Sequence, residues 1–112
     1  MRYLVAIHHP DNYNPDIAED PAMDRAIDDL NEEMVTAGVR VFVGGLHPAR
    51  STKSLMQQPD GQVRMTDGPY LKTTEHVGGF WVLETANLDE ALSWGRKAAV
   101  ACRAPVEVRQ FH

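Results

Sequence analysis

Two helix starts are written into this chain, and each falls between two short runs of β-forming residues. That repetition limits the fold more than any single motif does. Asp20 precedes Pro21, and an Asp cap accepts orphan amide protons while Pro at the first helical position loses no hydrogen bond. Met23, Ile27, Leu30, Met34 and Ala37 then fall on one face, and Gly38 supplies a left-handed stop. Asn87 opens the second helix with Glu90 three residues on, a capping-box spacing. Leu88, Ala91, Leu92, Ala98 or Ala99, and Cys102 give it an apolar face, although Gly95 lowers its intrinsic stability, and Pro105 breaks it.

The flanking runs read as strands. RYLVAIH, residues 2–8, is short and dense in β-formers and is closed by Pro10 and the NYNP stretch, with a polar loop leading to Asp20. VRVFVGGLHP is β-branched and aromatic up to Gly44 and Gly45, GGFWVLE from Gly78 is an interior strand, and VEVRQF is the last. Between them, residues 53–66 form a hairpin, KSLMQ and QVRMT around a PDG turn.

The order is β-α-β, a hairpin insertion, then β-α-β, which predicts an α+β, ferredoxin-like βαββαβ domain over residues 1–112. Two helices cover only one face of a four-stranded sheet. Yet the strands carry apolar side chains on both: Val5 and Ile7 against Leu4 and Ala6, Val41 and Val43 against Phe42, Trp81 and Leu83 against Phe80 and Val82. Two apolar faces predict a homodimer that pairs sheet to sheet around an internal cavity able to hold a small molecule.

Composition narrows the function classes. Eleven basic against sixteen acidic residues leave a net charge of −5 with no basic stripe, which argues against a nucleic-acid partner. No apolar run approaches the ~20 residues of a membrane span, so the chain reads as cytoplasmic, with no membrane partner. The single cysteine, Cys102, cannot form an internal disulfide and sits among alanines as a small buried hydrophobe. Gly44-Gly45 and Gly78-Gly79 match no phosphate cradle and mark close approach of backbone or ligand instead. His8 and His9 diverge on a strand end, and no histidine has a ligand companion at metal-site spacing, so neither a metal nor a cofactor is expected.

The stretch TDGPYLKTTEHVGGFWVLETANLDEALSWGRKAA, with AGVRVFVGGLHPARSTKSL and EVRQF, resembles the DGPF subgroup of the YCII-related family. That subgroup reads as DGPF, an acidic-Thr-Lys-Glu stretch, a Gly-Gly-aromatic strand and a Leu-Asp-Glu-Ala helix start. The chain departs from it at Tyr70, Lys72, Thr74 and Gln110. The resemblance implies a dimeric α+β barrel. For most members no function is assigned. Some look like lyases that remove hydrogen halide from a small carboxylate with a His and an Asp, and DGPF members often accompany extracytoplasmic-function sigma factors.

Five residues stand out as carriers of chemistry. Asp67, before Gly68-Pro69, is either an acid or base facing the cavity or a carboxylate bonded to its own turn. His47 follows the second strand and can exchange protons near neutral pH, or it is a surface histidine before a proline. Glu75 matches the glutamate of the family loop. Because an extended segment points Glu75 and His76 to opposite sides, only one of them can look inward, and Glu75 is the expected one. Arg109 is placed to grip a substrate carboxylate, or to pair internally, and Tyr70 to donate a hydrogen bond to a guest, or simply to pack. Two functions fit this inventory: a cofactor-independent acid–base enzyme, lyase- or isomerase-like, and a ligand-binding accessory without turnover.

Overall fold

A computed structural model describes residues 1–112. Six strands are present: β1 (Arg2–Pro10), β2 (Arg40–Gly45), β3 (Lys53–Gln57), β4 (Val63–Asp67), β5 (Glu75–Glu84) and β6 (Val106–Gln110). Three helices, α1 (Pro15–Ala18), α2 (Pro21–Thr36) and α3 (Leu88–Cys102), join them. The main sheet is antiparallel throughout, in the order β2-β5-β1-β6. The two β-α-β units therefore interleave: β5 lies between β1 and β2, and β1 between β5 and β6. The fold is α+β, a four-stranded antiparallel sheet with two long helices on it.

The helix starts behave as the sequence dictates. Asp20 accepts the Met23 amide proton at 2.8 Å and also takes the Arg103 guanidinium at 2.9 and 3.2 Å, tying the start of α2 to the end of α3. The guanidinium, and then the Met23 amide, hold the Asp20 carboxyl below its ordinary range. Asn87 accepts the Glu90 amide proton at 2.9 Å, while the Glu90 carboxylate reaches back to the Ala86 amide at 2.9 Å. Gly38, at φ +72°, ends α2. Gly95 has a packing reason to be glycine: a Cβ there would lie 2.7 Å from Val108 Cγ2, so α3 can seat on β6 only without one.

The core fills the space between helices and sheet. Val5, Ile7, Trp81 and Leu83 point up from β1 and β5 against Leu30 and Met34 of α2 and Ala98, Ala101 and Cys102 of α3. Alternation sends Leu4, Phe80, Val82 and Phe42 to the opposite face, which no other element of the chain covers. Phe42 is 55% exposed there, its ring 5.8 Å from that of Phe80.

The hairpin β3–β4 forms a separate two-stranded sheet. It turns at Gly61 (φ +86°) and leaves Leu55, Met56, Val63 and Met65 exposed, so it adds little to the core. Several boundaries differ from the sequence reading, among them the end of β1, which lies at Pro10 rather than His8. The loop before Asp20 contains the one-turn helix α1, started by Asn14, whose side chain accepts the Asp16 amide proton at 3.0 Å, and by Pro15 at its first position. Strand β5 begins at Glu75 rather than Gly78, because β1 runs on to Pro10 and pairs with it. No helix is long and apolar enough to cross a membrane.

Candidate functional site

The β1–β5 register is regular from Arg2 opposite Glu84 to Ile7 opposite Gly79, and then shifts, with His8 opposite Val77. Gly78 is the extra residue, a bulge that twists the strand pair and re-aims the side chains beyond it. Its lack of a side chain matters: a Cβ on Gly78 would stand 2.3 Å from His9 Nδ1 and 2.9 Å from its Cγ. The His9 ring lies against this bare backbone on one side and stacks on Tyr13 on the other, centroids 3.8 Å apart and planes 14° from parallel. Burial lowers its pKa below the ordinary histidine value, Glu19 opposes that and His8 adds to it, and no group of the chain hydrogen-bonds its ring nitrogens. His9 is thus a neutral imidazole with a lone pair to offer.

Directly across the strand pair from His9 stands His76. Its surroundings act in the opposite sense. Nδ1 lies 2.6 Å from the Asp11 carboxylate, and Nε2 lies 3.0 Å from the Leu71 carbonyl and 3.2 Å from Thr73 Oγ1. The Leu71 carbonyl first, and then the Asp11 carboxylate, raise its pKa above the ordinary value, with desolvation and, last, Lys72 working against them. Both ring nitrogens therefore act as donors in the charged form. Two neighbouring histidines whose surroundings push their pKa values apart are the pattern from which acid and base roles arise.

Tyr13, the stacking partner of His9, donates to Glu19 Oε2 at 2.9 Å. Burial, then that hydrogen bond, push its pKa up to about 12, so it remains a donor. These groups line a half-open cavity of about 370 Å³ between the end of the sheet and the start of α2. Ile7, Trp81 and Val43 of the sheet and Met23 and Ile27 of α2 supply its apolar wall; His9, Asp11, Tyr13, Glu19, His47 and His76 supply its polar one. Cys102 touches the cavity too, but burial pushes its thiol pKa up to about 11, which makes it a poor nucleophile. The cavity lies within one chain, on the helix side of the sheet, whereas the sequence pointed to a cavity between two sheets. A second, shallower depression of about 630 Å³ adjoins it, lined by Leu55, Pro69, Tyr70 and Leu71 and sharing Leu46, His47, Pro48, Ala49, His76 and Val77 with the first. No three or more His, Cys, Asp or Glu side chains gather closely enough to hold a metal ion.

Of the five residues singled out in the sequence, His47 lines the cavity and Tyr70 its outer depression. The other three stand elsewhere. Asp67 ends β4 with its side chain 83% exposed and ion-paired to Lys53 across the hairpin; the Gly68 turn is held instead by its own backbone, with Gly68 N–H donating to the Thr52 carbonyl at 2.7 Å. Glu75 is exposed, and of the adjacent pair it is His76 that turns inward, because the bulge at Gly78 sets the phase of β5 beyond it. Arg109 is 80% exposed on the uncovered sheet face, with Glu107 at 3.9 Å; Glu107 also lies 3.4 Å from His8.

The polar cluster at the cavity, His9, Asp11, Tyr13, Glu19 and His76, escaped the sequence reading because its first four members fall in a strand end and polar loop, while His76 is 65 positions from its partner Asp11. One signal was available. His9 is in phase with Tyr3, Val5 and Ile7, so a histidine continues the buried face of β1.

The sequence matches the YCII-related domain over residues 1–111. It is also similar to a protein of Rhizobium meliloti (strain 1021) described as uncharacterized protein R00369, 32% identical over 78 residues. The aligned stretch is 70% of this chain and 62% of that protein's length.

Proposed function

The chain belongs to the YCII-related family, and from its site we propose a cofactor-independent acid–base enzyme acting on a small molecule. The observation that carries this reading is His9: an unpartnered, neutral imidazole clamped between Gly78 and Tyr13 at the wall of a cavity. Such a group is a ready general base near neutral pH, and its clamp keeps the ring in one orientation. His76, tied to Asp11, supplies a positive charge beside it when protonated, which favours negative charge developing on the guest. His47, on the wall between cavity and vestibule, is a third group able to exchange a proton, and Tyr70 faces the entering molecule. A proton abstraction that leads to elimination or isomerisation fits this inventory.

The test is deuterium uptake. A panel of small oxo acids, hydroxy acids and halogenated carboxylates is incubated in D2O with wild-type protein and with His9→Gln. The reading expects uptake into at least one member, reduced about 10²- to 10⁴-fold by the substitution. Uptake unchanged in His9→Gln removes the base.

A second reading, a ligand-binding accessory without turnover, is favoured by one feature: both nitrogens of His76 are already engaged, so only one of the two facing imidazoles is free to move protons. Binding of a panel member, seen as shifts of the His9 and Tyr13 resonances without deuterium uptake, would favour it.

The subunit is ferredoxin-like in this reading, and two subunits close their uncovered faces into a dimeric α+β barrel. Leu4, Phe42, Phe80 and Val82 support that pairing, as an apolar sheet face left open to water is costly. Arg109, with Glu107 and His8, lies on that face and would serve the pairing rather than the cavity. Phe80→Asp should convert a dimer into a monomer in a sizing experiment; wild-type protein running as a monomer at micromolar concentration would remove the dimer.

A further inference from the structure

Pro69, Tyr70 and Leu71 line the outer depression, the vestibule of the cavity, together with Leu46–Ala49, and from Tyr70 to Thr74 every residue is exposed. Few bonds hold it to the body. The Asp11 amide donates to the Thr74 carbonyl at 2.9 Å, and the Lys72 ammonium donates to Pro69 within the segment itself at 2.9 Å. The Thr73 hydroxyl donates to the Glu75 carbonyl at the start of β5 at 2.8 Å, and the remaining tie is His76. Its ring joins Asp11, on the connection after β1, to the Leu71 carbonyl and the Thr73 hydroxyl.

Both ends of this bridge are acceptors. A carboxylate oxygen and a carbonyl oxygen can be satisfied together only by an imidazolium, which donates from both nitrogens. The neutral ring has one donor. If Nδ1 keeps the proton, the Nε2 lone pair faces the Leu71 carbonyl; if Nε2 keeps it, the Nδ1 lone pair faces the Asp11 carboxylate. The Thr73 hydroxyl can donate to Nε2 only by leaving the Glu75 carbonyl, and the Leu71 tie is lost in that arrangement as well.

We propose that the imidazolium of His76 is a latch that holds the Leu71–Thr73 segment against Asp11 at the cavity mouth, and that its deprotonation releases the segment and opens the vestibule. The latch regulates access to the site proposed above, and its effect on turnover rests on that reading; the motion itself does not.

The charged and titratable groups around the ring agree with this. Asp11 favours the imidazolium from the β1 side, and Lys72 opposes it from the segment. His9 faces it from β1 across the strand pair, His47 shares its wall, and Glu75 precedes it on β5 with the side chain turned outward. A histidine pKa raised in the folded state means the tie is complete below the unfolded value of about 6.5 and is lost as pH rises through the folded one.

The segment carries one lysine, Lys72, which gives a direct probe. A lysine-specific protease is applied between pH 6 and pH 9, and the rate of cleavage after Lys72 is divided at each pH by the rate for a free peptide of residues 68–76. Cleavage after Lys97, inside α3, reports global opening. The proposal expects the relative rate at Lys72 to rise roughly tenfold or more with pH while Lys97 remains protected. In His76→Gln the rate should be high and flat. In Asp11→Asn the rise should move to lower pH. His9→Gln should keep the wild-type rise even where it abolishes deuterium uptake, which separates failure of the base from failure of the latch. A flat wild-type profile, or a rise that survives in His76→Gln, overturns the proposal.

Discussion

From Tyr3 to Ile7, β1 faces Leu83 to Gly79 in unbroken register, and the side chains it sends upward are sealed beneath α2 and α3. From His8 onward the same two strands pair again, one residue out of step, and the side chains they send to the same face are His9 and His76. The alternation is continuous, but what covers it is not: long helices lie over the first half, while the second half has only the start of α2 and the turn after β1. The same face therefore serves as core where it is roofed and as a site where it is not. Gly78 marks the boundary, and its missing side chain is what admits the His9 ring.

The largest effect belongs to the roofed half. Leu83 is fully buried, so Leu83→Ala should cost about 2–5 kcal/mol in urea unfolding. His9→Gln in the unroofed half should cost under about 1 kcal/mol, as a partly exposed side chain without hydrogen bonds has little to lose. Comparable losses at the two positions would break the distinction between core and site.

Next come the glycines. Gly95→Ala and Gly78→Ala each place a methyl inside a contact distance, 2.7 Å from Val108 Cγ2 and 2.3 Å from His9 Nδ1, and overpacking of this kind costs about 1–3 kcal/mol. They should differ in kind. Gly95→Ala lowers stability with the His9 and Tyr13 resonances unchanged, because its strain falls between α3 and β6. Gly78→Ala drives His9 off the Tyr13 ring, so those resonances move and any guest binding is lost even in molecules that remain folded.

The smallest effects are those of pH, and their signs oppose. The pKa of His9 is lowered by folding, so its contribution is present above the unfolded value of about 6.5 and is lost as pH falls toward the folded one. The pKa of His76 is raised, so its contribution is present below about 6.5 and is lost as pH rises through the folded value. Urea midpoints followed against pH should show the acid-side loss shrink in His9→Gln and the alkaline-side loss shrink in His76→Gln. The reverse assignment would contradict the charge states of both rings.

The fold was more legible in the sequence than the site, for a physical reason. Asp20-Pro21, Asn87 with Glu90, Gly38 and the PDG turn act through bonds to residues a few positions away, so the chain states them locally. Strand alternation is equally local, and it correctly divided Val5 and Trp81 from Leu4 and Phe80. The site is made of pairs such as His76 with Asp11, which only the β1–β5 register brings together. Asp67 drew attention through its turn, yet its partner Lys53 is fixed by the hairpin pairing that the turn does not reveal. The choice between Glu75 and His76 depended on the phase of β5 past the bulge, and Gly78-Gly79 signalled a close approach without saying which ring would make it.

The claim on which the site rests is that His9 and His76, neighbours across one strand pair, hold opposite charge states. Ring-nitrogen NMR of both histidines across a pH titration measures this directly. The expected result is His9 titrating below 6.5, with no hydrogen bond to either nitrogen, and His76 titrating above it as a doubly protonated ring. Two rings titrating together near the ordinary histidine value, or His9 the more basic of the two, would contradict the account.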